Sequence, residues 1–271
     1  MRLRHPDGQT VYLAGTLPSQ SEHEVRGVFA RLVDIPRDTD LACLSLIINP
    51  SFASALAGSI GMRRRLQYGL ASRGFEVVTL ASAFPHRSWR SWWTHVLDLA
   101  RVLADLLPED TTHGSISTTV PSFGDEPWES AARELDDLSS GLTEIAWHTG
   151  SFVRVACEMA EGTLLETIDD AVRLLSSVDP TRIGVCLSPD RLASVSETPA
   201  QALVKLRRAH LAVVKVMLTD KAETTTRATL AAVLGGPHPI CDHYEAINGG
   251  ALESARDEFA ALGLDGLFLP R

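Results

Sequence analysis

Two residues of this chain have the type and the setting for proton chemistry: Glu158, ending the run FVRVACE (152–158), and Lys215, inside LAVVKVML (211–218). Alternation along each run turns the ionisable side chain away from the apolar face, toward what would be a lumen. A carboxylate and an ammonium brought together there, with pKa values moved by burial and by each other, can take a proton from the carbon next to a carbonyl. The amine can also form a Schiff base. The plainer alternative is a structural ion pair, because buried charges are usually paired. A second cluster, CDHYE (241–245), sets His243 beside Asp242 and Glu245, the densest grouping of imidazole and carboxylate in the chain. It either touches a ligand or forms the loop before a helix whose Asn248-Gly249-Gly250 supplies turn and cap. His86, in FPHRSWRSWW, and the hydroxyls of Ser117 and Thr119, in GSISTT, complete the candidate ligand contacts. Trp89, Trp92 and Trp93 either wall off a ligand or pack a helix onto the body of the protein.

The elements that must position these residues show as an alternation of periods. Runs rich in β-formers occupy 10–16, 41–49, 76–81, 114–119, 152–158, 182–188, 211–218 and 264–270, with helix-period segments between them, among these 92–107, 127–148, 165–177 and 250–262. Such alternation predicts a parallel sheet with right-handed crossovers, and eight units favour a closed (β/α)8 TIM barrel, with residues 1–271 as one α/β domain. Parity then points Arg154, Ala156 and Glu158 inward on the fifth strand, Arg182, Gly184, Cys186 and Ser188 on the sixth, and Val213, Lys215 and Met217 on the seventh. Glu158, Ser188 and Met217 come to the C-terminal ends of their strands, the face on which barrel enzymes carry their chemistry.

Composition narrows the function classes. A 45% hydrophobic, 22% charged chain can bury a sizeable core. A formal net charge of -9, with no cationic run beyond Arg63-Arg64-Arg65, argues against nucleic acid and anionic membrane as partners. Four dispersed cysteines, Cys43, Cys157, Cys186 and Cys241, suggest buried thiols in a reducing compartment. With no apolar leader and no long apolar span, a cytoplasmic location is expected. A G-x-S-x-G elbow, a P-loop and a GxGxxG after the first strand are absent.

Taken in order, MRLRHPDGQTVYLA, GFEVVTL, LDLARVLADLLP, GSIST, VRVACE, DPTRIGVCL and VVKV resemble the EboE-type metabolite-traffic proteins, members of the xylose-isomerase-like barrels. The resemblance implies that fold. It also implies divalent ions held by a Glu after the fifth strand, an Asp and a His after the sixth, a Gln or His on the seventh, a His or Asp pair beyond it, and a Glu on the eighth. This chain departs from that pattern. Glu158 stands in the first place, in Glu158-Met159-Ala160-Glu161-Gly162, but the second motif reads Cys186-Leu187-Ser188-Pro189-Asp190-Arg191, and the third Lys215-Val216-Met217. Asp242 and His243 match the later pair, whereas GLFLP, taken as the eighth strand, carries no carboxylate. A thioether and a hydroxyl do not replace hard oxygen and imidazole ligands, and Arg191 would add a fixed positive charge where the cation would sit. The resemblance with these departures implies a lost metal site, so neither metal nor cofactor is expected.

The expected function is an enzyme acting by proton transfer on a small polar metabolite, as isomerase, epimerase, cyclase or lyase. Glu158, Lys215 and His243 would be catalytic, with His86, Ser117, Thr119, Ser188, Arg191, Met217 and Asp242 around the substrate. The alternatives are a non-catalytic metabolite-binding or traffic protein and, behind it, a metal enzyme with a rebuilt site.

Overall fold

Along 152–158, Val153, Val155 and Cys157 are buried in the apolar shell under the helices while Arg154, Ala156 and Glu158 take the other face, and this two-residue rhythm builds the sheet. The computed structural model describes residues 1–17, 25–32, 41–82, 86–111, 113–123 and 127–267. Its strands are β1 (Arg2–Arg4), β2 (Thr10–Leu17), β3 (Cys43–Ile47), β4 (Glu76–Ser82), β5 (His113–Thr119), β6 (Phe152–Glu158), β7 (Ile183–Leu187), β8 (Val213–Leu218), β9 (His243–Ala246) and β10 (Asp265–Leu267). Strands β2 to β9 pair in parallel in chain order, and β2 pairs with β9 from Tyr12↔His243 to Gly15↔Ala246, closing an eight-stranded barrel.

The eighth barrel strand is therefore β9, and the expectation that 264–270 fills this place is corrected. β10 pairs antiparallel with β1, which pairs antiparallel with the start of β2, so both lie outside the parallel barrel; residues 268–270 lie outside the described residues. Burial explains the assignment. Tyr244 packs edge-on against Phe259 and donates its hydroxyl proton to the Cys241 carbonyl, which leaves His243 and Glu245 on the lumen side. A four-residue strand with two ionisable residues has too short an apolar rhythm to stand out in the sequence.

The helices α1 (Val25–Leu32), α2 (Pro50–Ala57), α3 (Ile60–Ala71), α4 (Trp89–Leu106), α5 (Pro127–Thr149), α6 (Ile168–Leu175), α7 (Pro189–Ser194), α8 (Pro199–Arg208), α9 (Glu223–Leu234) and α10 (Gly249–Ala261) surround the sheet. Their starts are encoded locally. Ser88 with Ser91, Thr167 with Asp170 and Thr198 with Gln201 form capping boxes, and Asn248 caps α10 at the Ala251 amide. On α4, Trp92, Val96, Leu99, Ala100 and Leu103 form one buried stripe. The Trp92 N–H donates to Thr118 Oγ1 and to the Thr119 carbonyl, each at 3.0 Å, so this tryptophan fastens α4 to β5. Among the described residues no helix is long and apolar enough to cross a membrane, and all four cysteines are buried free thiols.

One irregularity shapes the lumen. The β7–β8 register slips between Val185 and Cys186, so that Val185 faces Val213 but Cys186 faces Lys215. Val213 consequently joins the outer apolar shell, against the expectation from simple parity, and Val214 packs inside against Ala156 and Cys186. Gly184 makes the room, since a Cβ there would lie 2.4 Å from the Ala212 carbonyl oxygen and 2.8 Å from Val214 Cγ2.

Candidate functional site

Three ionisable side chains meet in the C-terminal half of the lumen: Glu158 from the end of β6, Lys215 from β8 and Glu245 from β9. The slip in β8 keeps Lys215 directed inward. Its ammonium is fully buried and ion-paired with Glu245, and donates to Ser117 Oγ at 3.1 Å and to the Leu80 carbonyl at 3.3 Å. Glu245, 2% exposed, accepts from the Thr16 hydroxyl at 2.8 Å. The two carboxyls are driven apart in acidity. Burial pushes Glu158 up and the charge of Glu245 adds to this, against the pull of Lys215 and the Ser117 hydroxyl. Burial would raise Glu245 as well, but the Lys215 ammonium and its hydroxyl neighbours outweigh it and hold the carboxyl below its ordinary value. Two carboxyls with opposed environments and one cation form a set able to hold and move a proton.

A second group lies one pleat repeat lower. His243 opens β9, His113 opens β5 and Asp242 immediately precedes β9, so all three sit at the N-terminal end of the barrel. The Ser115 hydroxyl lies 2.7 Å from His243 Nδ1, the Tyr12 ring stands nearly perpendicular to the same imidazole, and the His113 and His243 rings stack at 5.0 Å. His113 Nε2 is 3.1 Å from Asp242 Oδ2. Burial drives the His243 pKa down to about 4 against the attraction of Asp242. Burial would raise Asp242, yet the neighbouring imidazoles bring it down to about 2.

The structure thus brings Glu158, Lys215 and Ser117 together, and it places His243 and Asp242 in the layer below, with Glu245 in the position His243 was expected to take. Thr119 ends β5 opposite Glu158, and Met217 lines the inner wall against Ala156, Cys186 and Val214. His86 stands near the end of β4, its Nε2 3.5 Å from Nδ1 of the buried His95. Ser188 caps α7 at the Arg191 amide, and the Arg191 guanidinium binds the Glu166 carbonyl at 2.8 Å and the Glu166 carboxylate at 3.4 Å. The fixed cation beside the lumen carboxylates is therefore Lys215, where the motif had suggested Arg191. Ser188 and Arg191 line, with Asp190, Ser194 and Lys221, an open groove of about 490 Å³. Sequence reasoning noted Glu245 without a strand to carry it and passed over His113, although HGSISTT alternates His113, Ser115, Ser117 and Thr119 on one polar face.

No protein-family model matches the sequence, and no curated protein matches it. Solved structures do match in fold. A xylose isomerase domain protein from Alicyclobacillus acidocaldarius aligns at TM-score 0.58 and 14% identity over 93% of this chain and 97% of the other. A 3-keto-D-glucoside 4-epimerase from E. coli aligns at 0.58 and 12% over 93% and 99%. A xylose isomerase-like TIM barrel protein from Mycobacterium smegmatis, in complex with magnesium, aligns at 0.58 and 15% over 96% and 91%. The fold is a xylose-isomerase-like TIM barrel.

Proposed function

We propose that this chain is a small-metabolite isomerase or epimerase that moves a proton with Glu158 in a barrel without a divalent ion at its C-terminal mouth. The observation that carries this reading is the buried Lys215 ammonium paired with Glu245 beside a second, more weakly acidic carboxyl, Glu158. Glu158, its acidity weakened by burial, takes the proton from the carbon next to a substrate carbonyl and delivers it to the neighbouring carbon of the resulting enediol. Lys215 supplies positive charge where negative charge grows on the carbonyl oxygen, and Glu245 with Thr16 positions the ammonium. The sugar epimerases among the fold neighbours, which include a D-psicose 3-epimerase and an L-ribulose 3-epimerase, support the reaction class. The EboE-type resemblance agrees with a place in metabolite handling.

The residues at the mouth do not fit a hard divalent cation. Lys215 is ion-paired to one of the two carboxylates that would hold it, Ser188 Oγ accepts from a helix amide, and the Met217 thioether is a poor ligand for such an ion.

The test is proton exchange. Keto-sugars incubated with the protein in D2O and chelator should gain deuterium next to the carbonyl, and Glu158→Gln should slow this by roughly 10²–10⁴-fold. Exchange that survives Glu158→Gln, or that requires added metal, overturns the reading. Ligand-induced thermal stabilisation without exchange would instead identify a binding protein.

A further inference from the structure

We infer that the floor of the barrel is a separate metal site, in which His113, Asp242 and His243 hold one borderline divalent cation of the zinc type. One ligand atom from each of the three residues lies within 4.8 Å of the others. The strands that carry them, β5 and β9, are four places apart in a closed ring of eight, so they face each other across the lumen. The second observation is an orphaned nitrogen. His243 is 1% exposed, its Nδ1 is engaged by Ser115 Oγ, and its buried Nε2 has no hydrogen-bond partner. Buried polar atoms in native proteins are nearly always satisfied, and an exception asks for a missing partner.

The donor set specifies the partner. Two imidazoles and one carboxylate are what zinc takes when three protein ligands leave a fourth position to water. A hydroxyl fixing the far nitrogen of a ligating imidazole, as Ser115 does here, orients the ring and sets its tautomer. His113 and Asp242 are 22% and 27% exposed, which gives an ion a way in from the N-terminal side. Uptake requires the His113 ring to leave its stack on His243 and turn Nε2 from Asp242 to the ion. Arg154, on the strand next to β5, is attracted to Asp242, and it and Lys215 both oppose positive charge at His243. The site shares no residue with the Glu158, Lys215 and Glu245 group, and its role is structural: a bound ion staples opposite walls of the barrel across the floor.

The experiment is calorimetric titration of Zn²⁺ into the chelator-stripped full chain, with Co²⁺ as an optical substitute and circular dichroism as the check on folding. One Zn²⁺ per chain, a raised melting temperature and strong visible Co²⁺ bands of a four-coordinate site are expected. His113→Ala and Asp242→Asn should each lose stoichiometric binding while folded, and Ser115→Ala should weaken it by roughly 10–100-fold. Arg154→Met should tighten it, and Glu158→Gln should bind Zn²⁺ as the parent does. No stoichiometric uptake by the folded parent overturns the proposal, as does binding that survives both His113→Ala and Asp242→Asn. Binding lost in Glu158→Gln would move the ion to the mouth and overturn it too. Because Glu158→Gln removes the proposed proton transfer but not the floor ligands, failure of the isomerase reading leaves this result standing.

Discussion

The mouth and the floor of the lumen draw on the same strands and reach opposite electrostatic solutions. β9 supplies Glu245 to the upper layer and His243 to the lower, and β5 supplies Ser117 above and Ser115 with His113 below. Above, charge is kept in the lumen by pairing a buried ammonium with a carboxylate. Below, burial removes charge from His243, and the hydroxyl of Ser115 satisfies one nitrogen only. One barrel can thus offer a charged layer suited to moving protons and, a single pleat repeat below, two imidazoles and a carboxylate suited to a borderline cation.

The largest effect should come from breaking the charged layer. Lys215→Met leaves the buried Glu245 without its cation and should lower stability by about 3–5 kcal/mol in urea unfolding at neutral pH. Added Mg²⁺ or Mn²⁺ should recover part of that loss by replacing the cation, whereas the parent should not respond to Mg²⁺. A variant as stable as the parent would show that the ion pair contributes nothing net.

The acid limb of stability sharpens the comparison by separating neutral imidazole from charged layer. His95 on α4 is buried, donates from Nε2 to the Ile48 carbonyl at 3.0 Å and lies 3.2 Å from Ser82 Oγ through Nδ1. Burial, with His86 nearby, pushes its pKa down from 6.5 to about 4. The unfolded chain then binds the extra proton first, so this contribution is complete above 6.5 and is lost as pH falls toward 4, on the order of 3 kcal/mol. His95→Gln should flatten the stability profile in that window. The mouth carboxyls act in opposite senses: the contribution of Glu245, whose pKa is lowered, disappears as pH falls below the ordinary carboxyl range, and that of Glu158, whose pKa is raised, disappears as pH rises above it, within the window where His95 acts.

A smaller loss is expected from the backbone that aims Lys215. Gly184→Ala drives a Cβ against the Ala212 carbonyl and should cost about 1–3 kcal/mol in the same unfolding assay, since the neighbour is main chain and cannot swing aside. Smallest of all, Glu158→Gln should change stability at neutral pH by less than about 1 kcal/mol, because the amide removes a carboxyl that burial already disfavours. A large loss there would make Glu158 a structural ion-pair partner and remove the contrast between a working mouth and a structural floor.

Seven of the eight barrel strands and the main helices were legible, because β-branched alternation and three-to-four residue apolar spacing are local signals. So was the lumen address of Glu158 and Lys215. The eighth strand was not. His243–Ala246 is four residues long, and its inward side chains are an imidazole and a carboxylate, so nothing local distinguishes it from the polar loop that CDHYE suggests. That one displacement carried the rest: it hid the eighth-strand carboxylate, set His243 at the wrong end of the barrel, and left His113 without a partner to reveal it.

By itself the sequence determined the alternation of elements, the apolar shell between strands and helices, the helix caps and the presence of two ionisable residues inside, since each depends on periods and neighbours a few residues apart. Only the tertiary structure decided which segment closes the ring, that Val214 rather than Val213 turns inward beside Lys215, that Glu245 rather than His243 holds that lysine, and that Arg191 belongs to Glu166. These depend on register between strands far apart in the chain. A shift of one residue there exchanges the two faces of a strand, and no local pattern records it.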